Sequence, residues 1–410
     1  MHHKPARFKY SILAQLCNLI PSHLVGTLAH RYGVTKKART FCPWSHVVAL
    51  LYAQLVHALS LNDVCDALRT HASKLGQIRR AVAPAKNTLS HANRTRPAAM
   101  AEALFWEVLD HFRRKYPSFG GRRYKALPRR FRRVVYAVDS TTIELVAHCI
   151  DWARHRRKKA AAKLHVSLNL ETFLPRIAIV DTARHHDKTK AWSLCAVLKA
   201  GEIVVFDKAY LDFAHLNELD ERGVFWVTRA KTNMAWRCVR RGKVVRGGKI
   251  LRDDLVVLTT PASRAKYPRP LRRIHALVEV DGQEREMIFI TNNLEWAASS
   301  ICDLYKCRWS IEVFFKEIKQ TLQLCDFLGH NKNAILWQVW TALLLYVLMR
   351  ILSLLGQWRF GFKRLFCLIR SNVWELYGAG ALMKFCGTAR DAFVLRPAPQ
   401  QAWLPGFEPD

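Results

Sequence analysis

Acidic residues are scarce in this chain. Across 410 residues there are 32 Asp and Glu against 65 Lys and Arg, a formal charge of +33. That surplus points to a polyanionic partner, nucleic acid first and an anionic membrane second. It names a partner class and no reaction, since purely structural binding gives the same surplus. Paired cysteine spacing is missing too: the 11 cysteines are scattered and none forms a CxxC pair. This argues against a disulfide framework and is expected of reduced thiols, most of them small core residues. The basic start, MHHKPARFKY, is not followed by an apolar run with a small-residue cleavage site, so no signal peptide is expected. No internal repeat is evident. One uncharged run, residues 334–349, could pass for a membrane span, but its 16 residues fall short of the roughly 20 required. Gln338 and Thr341 interrupt it and Arg350 follows, so a buried core helix and no membrane partner are expected.

What is present is apolar enough to fold: half of the residues are hydrophobic, on a chain long enough for two or three domains. Residues 1–112 have helical periodicity. Helices are expected over 8–32, from Pro43, within SLNDVCDALR (with Ser60 or Asn62 as N-cap) and up to Pro117. The short polar segment Asn87–Arg96 between two of them fits a helix-turn-helix reader of DNA, and fits an ordinary helical bundle as well. Residues 113–133, with RRK, GRRYK and PRRFRR, form a basic linker. Residues 134–330 then change to strand character. VVYAVD, LHVSLNL, RIAIVD and IVVFD are β-rich runs, with a helix expected over 187–200, so an α/β domain with a central sheet is expected. Further short strands separated by basic turns suggest a β-rich insertion at about residues 212–300. Residues 331–410 are helical, with a Pro-rich tail.

The chain is organised around residues 305–319, YKCRWSIEVFFKEIK. Ile311, Phe314, Phe315, Ile318 and Leu322 form one apolar stripe. Tyr305, Arg308, Glu312, Lys316 and Lys319, at steps of 3, 4, 4 and 3, align on the other face. Such a face is either solvated and laced with ion pairs or part of a site. Asp139 and Asp207, each closing an apolar run, favour the site. Three carboxylates from distant parts of the chain can hold two divalent ions, Mg²⁺ or Mn²⁺, which clamp the attacking and leaving oxygens of a phosphodiester. Asp181, the His185–His186–Asp187 group and Asp212 are the other acidic candidates, with Asp212 the rival to Asp207.

These residues carry a resemblance. Tyr305-x2-Arg308-x3-Glu312-x6-Lys319 resembles the Y-R-E-K signature of bacterial DDE transposases of the insertion-sequence-four family. VDST at Asp139 and FDKAYLDF at Asp207 resemble the family's two aspartate motifs. The similarity runs through most of the chain, including the basic segment with Arg154, Arg156, Arg157, Lys158, Lys159 and Lys163. It implies an RNase H-like core with a β insertion, a helical DNA-binding N-terminal region and a helical C-terminal region. It implies cleavage of double-stranded DNA at transposon inverted repeats and strand transfer into target DNA, by a homodimer in a synaptic complex. In such a chain Asp139, Asp207 and Glu312 are the catalytic metal ligands, and Tyr305, Arg308 and Lys319 hold phosphates. Trp226 or Trp236 could stack a flipped base, or either could be a β-core residue. The implied location is the bacterial cytoplasm, at the nucleoid. A DNA-binding protein with a decayed site and a metal-dependent nuclease without strand transfer are the alternatives.

Overall fold

Short-range chemistry sets the first helices. Pro21 splits the expected 8–32 helix into Ile12–Asn18 and Leu24–Arg31. Cys42 caps Pro43–Val56, accepting from the Ser45 N–H, with proline in the first turn where no donor is lost. Ser60, not Asn62, caps Leu61–Thr70, in a reciprocal box with Asp63 at 2.9 and 3.2 Å. The computed structural model describes residues 5, 7–34, 40–119, 131–145, 154–156, 159–182, 187–280, 282–323 and 327–387. The centre of the basic linker, 120–130, lies outside the described residues.

The fold is mixed α/β. Among the described residues ten strands form one sheet: β1 (Val135–Leu145), β2 (Arg154–Arg156), β3 (Lys159–Asn169), β4 (Leu174–Thr182), β5 (Ile203–Phe206), β6 (Phe225–Arg229), β7 (Trp236–Arg241), β8 (Ile250–Leu258), β9 (Leu271–Val280) and β10 (Gln283–Thr291). The order is β2-β3-β1-β5-β6-β10-β9-β8-β7, with β4 also on β3. β1, β3 and β4 are antiparallel neighbours, whereas β5 and β6 lie parallel to β1 and to each other. Phe225–Arg229, which the sequence grouped with the insertion, therefore continues the parallel part. The four later strands extend the same sheet from β6 rather than forming a separate layer. Between β4 and β5 the expected 187–200 helix shrinks to a 3₁₀ turn, Asp187–Lys190, and one short helix, Ala191–Cys195.

A single helix, Lys332–Leu355, joins the parts. Its 24 residues hold an 18-residue window of mean hydropathy 1.8, long and apolar enough to cross a membrane, so the argument from length alone fails. Packing decides instead: 89% of its apolar window is buried inside the protein. Asn333 donates to the carbonyls of Asn93 and Arg96, and Trp337 Nε1 donates to Arg96 O at 2.7 Å. Tyr346 donates to Phe173 O at 2.9 Å and meets Phe314 edge-on. N-terminal helices, one sheet face and C-terminal helices share one continuous core around it.

His46 lies in that core, its Nε2 2.8 Å from Asn93 Oδ1 and its ring 4.5 Å from that of Trp337. Burial pushes its pKa from 6.5 down to about 3. Above pH 6.5 the ring is neutral folded and unfolded. As the pH falls below 6.5 the unfolded chain takes up a proton that the folded chain refuses, so stability is lost toward pH 3. Urea unfolding of the wild type and of His46→Gln should therefore show their stability difference narrowing by about 2 kcal/mol between about pH 7 and about pH 5.

Candidate active site

Register places the first charged row. β1 pairs with β5 so that Val138 faces Phe206, and β5 pairs with β6 so that Val205 faces Val227. One and two residues further on, Asp139, Asp207 and Arg229 emerge at one height on three neighbouring strands. Asp139 closes the buried run Val135–Val138 but not its strand, contrary to the expectation that the strand ends there. The strand continues to Leu145 because residues 139–145 pair with β3. β5 does end at Phe206, because Asp207 Oδ1 accepts from Ala209 N at 3.1 Å and turns the chain into the 3₁₀ segment Lys208–Tyr210. Tyr210, buried behind the turn, anchors it.

The organising helix is less regular than its sequence suggests. It breaks at Arg308 into Ala298–Cys307 and Trp309–Lys316, then widens into a π-helical segment, Glu317–Thr321. The apolar stripe is nonetheless buried, Ile311, Phe314, Ile318 and Leu322 all at 0% exposure. That burial turns Tyr305, Arg308 and Glu312 toward the charged row. Arg308 Nη1 lies 2.8 Å from Asp139 Oδ2 and its Nη2 lies 2.6 Å from Glu312 Oε1. Tyr305 Oη is 3.5 Å from Asp207 Oδ2, which Arg229 Nη2 also reaches, at 3.2 Å. The Tyr305 ring has both guanidiniums 5.8 Å from its centre.

The electrostatics follow from crowding acids in a dry place. Burial pushes Asp139 up to about 6, and the nearby Asp207 and Glu312 charges add to that, opposed by the Ser140 N–H and Arg308. The donors are hard oxygens, the set that Mg²⁺ and Mn²⁺ prefer. Among the described residues no three acidic, His or Cys groups stand in a finished metal array. The three acids instead close around guanidinium groups, with Arg308 spanning two of them. A cation already occupies the gap, and the crowded, half-buried acids need one, so the residues fit a divalent metal.

Other candidates fall elsewhere. Among the described residues Lys319, in the π-helical segment, bonds to none of the three acids. Trp226 is 0% exposed, edge-on to Tyr267 at 5.9 Å, and cannot stack a base; it is a core residue. Trp236 is half-buried, with the Arg273 guanidinium 4.7 Å over its ring. Arg154 and Arg156 lie on β2 and Lys159 and Lys163 on β3. Arg157, Lys158, His185 and His186 lie outside the described residues. Asp181 pairs with Lys190 at 2.6 Å, and Asp212 caps helix Phe213–Glu221 through Ala214 N and His215 N. Arg96, at the end of the polar helix Lys86–Thr95, is used internally. It donates to the Phe41 and Cys42 carbonyls and lies over the Phe41 ring. The stretch between Leu61–Thr70 and Lys86–Thr95 contains a further helix, Ala72–Gly76, and is longer than a helix-turn-helix turn. Arg229 was not foreseen. Its signal was its alternation with Val227 in VFWVTRA, legible only once that strand is placed beside β5.

A protein-family model, the Transposase DDE domain, matches residues 130–348. Residues 9–78 match a second, a domain of unknown function (DUF4372). The protein y4zB of Sinorhizobium fredii, named as a transposase, is 31% identical over 279 residues, 67% of this chain and 74% of that protein. The protein named as transposase for insertion sequence element IS5377 of Geobacillus stearothermophilus is 29% identical over 54% of this chain and 57% of its own length. Transposase InsG for insertion sequence element IS4 of Escherichia coli is 25% identical over 46% of this chain and 43% of its own. A cryo-EM structure of a piggyBac transposase synaptic complex with hairpin DNA aligns over 97% of this chain and 86% of its own at 9% identity, with a TM-score of 0.47. The family model, matching more than half of the chain, and the relative at 31% identity show the family: the chain belongs to the DDE transposases. It is a DNA transposase, an enzyme that acts on DNA with divalent metal.

Proposed function

We propose that Asp139, Asp207 and Glu312 are the metal-holding acids of a cut-and-paste transposase with the insertion-sequence-four Y-R-E-K arrangement. The observation that carries this is their convergence from two parallel strands and one helix onto two neighbouring guanidiniums, Arg308 bridging Asp139 and Glu312 and Arg229 pairing with Asp207. The strand order, three antiparallel strands followed by two parallel ones, supports an RNase H-like core over residues 134–330. Its β insertion then begins after Arg229 and returns at the Ala298–Cys307 helix. Two divalent ions, Mg²⁺ or Mn²⁺, would be held by the three acids and would supply charge neutralisation at both oxygens of the reacting phosphodiester. Tyr305, Arg308 and Lys319 hold DNA phosphates, Arg308 by its planar fork and Lys319 as a point charge.

The same charge logic assigns the surroundings. Arg237, Arg240, Arg241, Lys243 and Arg246 are exposed on the β7–β8 hairpin, at the outer edge of the sheet, and suit phosphate contact. The basic strands β2 and β3 and the exposed face of Lys86–Thr95 (Lys86, Asn87, His91, Arg94) are further DNA contacts. The substrates are the element's inverted repeats and target DNA, bound by a homodimer in the bacterial cytoplasm at the nucleoid. The test is to sequence the DNA flanking the gene, build duplexes carrying its inverted repeats, and incubate them with protein, Mg²⁺ and a target plasmid. Metal-dependent nicking at the repeat boundary with joined products is expected. Nicking without joining identifies a nuclease, and binding without nicking a decayed copy.

A further inference from the structure

The acids of this site are already neutralised by the protein's own cations. Arg308, its side chain 14% exposed, spans Asp139 and Glu312, and Arg229 holds Asp207. Both guanidiniums also keep a buried Nε–H that has no acceptor. Such a donor is also left by Arg273 Nε beside Asp254, so what sets Arg308 apart is its span of two acids.

Resting on the proposed metal site, we propose that Arg308 is a latch, seconded by Arg229. It occupies the gap between Asp139 and Glu312 in the free protein and competes with divalent metal for the same oxygens. When it yields them, its fork is free to take a DNA phosphate. The exchange is reciprocal. Whatever draws Arg308 toward a phosphate opens the acids to metal, and metal on the acids releases Arg308 to the phosphate. The free protein is thereby held short of a loaded site until DNA is present, without any large movement of the fold.

The competition can be read without measuring cleavage, by following free Mn²⁺ with electron paramagnetic resonance as it is titrated into the full chain. Arg308→Gln should bind Mn²⁺ about tenfold tighter than wild type, the worth of one charge-assisted hydrogen bond no longer opposing it. Removing a positive charge would tighten binding by itself, so Arg308→Lys is the deciding variant. Lysine keeps the charge, but one ammonium cannot span both acids as the fork does. Arg308→Lys should therefore also bind Mn²⁺ several-fold tighter than wild type. Mn²⁺ should in turn tighten binding of a random-sequence duplex to wild type and not to Arg308→Gln. Arg308→Lys binding Mn²⁺ no tighter than wild type overturns the latch. Equal tightening of the duplex in wild type and Arg308→Gln overturns the hand-over to phosphate. Glu312→Gln keeps the two failures separate: if it binds Mn²⁺ as wild type does, the metal site itself is misplaced, whatever the arginine variants do. Thermal melting of each variant establishes that it is folded.

Discussion

Glu312→Gln should lose at least about a thousandfold in cleavage rate while binding end-containing duplex nearly as wild type does. Glutamine keeps the size of the side chain and can still accept from Arg308, so the Trp309–Lys316 helix has no reason to move. What disappears is one of three negative charges. The charge stabilisation that a metal gives a reacting phosphodiester is worth several kcal/mol, and each 1.4 kcal/mol is about tenfold in rate. DNA affinity rests on many cationic contacts spread over a chain of formal charge +33, so one acid changes it little. Single-turnover cleavage beside an anisotropy titration separates the two quantities. A variant that cuts at the wild-type rate removes Glu312 from the chemistry.

Trp337→Ala should lower the stability of the whole chain by about 3–5 kcal/mol, the range for truncating a buried aromatic. Trp337 is 1% exposed, lies against His46 and donates to Arg96 O. Because the helix that carries it is packed against N-terminal helices, sheet and C-terminal helices together, the loss should appear as one shifted transition. Urea curves followed by far-UV circular dichroism and by tryptophan fluorescence should keep a common midpoint. Two separated transitions would mean that the N-terminal helices unfold on their own. Trp337→Phe should cost less, because Arg96 O keeps the Asn333 donor and is not left unpaired.

Much of the candidate site was legible in order of residues, because helical and strand periods are local. The apolar stripe of the organising helix, the aspartates after apolar runs and the i,i+4 pair Arg308–Glu312 all follow from spacing that a short stretch contains. The failures share a cause as well. Trp226 seemed available because β6 was read as part of an insertion; its burial comes from Tyr267 and from a sheet neighbour, β10, more than 50 residues away. Lys332–Leu355 was read correctly as a buried core helix, from length, Gln338, Thr341 and Arg350, but what buries it is helices near residues 90–115 and a turn at Phe173. Arg96 was grouped with DNA-facing residues, while its acceptors, Phe41 and Cys42, are more than 50 positions distant.

The sequence by itself determined the partner's charge and the helical and β-rich halves, and it nominated three acids, since these depend on composition and on neighbours within a turn or a strand. Only the tertiary structure decided that Asp139 and Asp207 lie side by side, that Arg229 joins them and that Arg308 closes the gap to Glu312. Those facts rest on the register between β1, β5 and β6 and on the seating of one helix against them. Hydrogen bonds and packing between residues tens to well over a hundred positions apart fix both, and no local pattern encodes them.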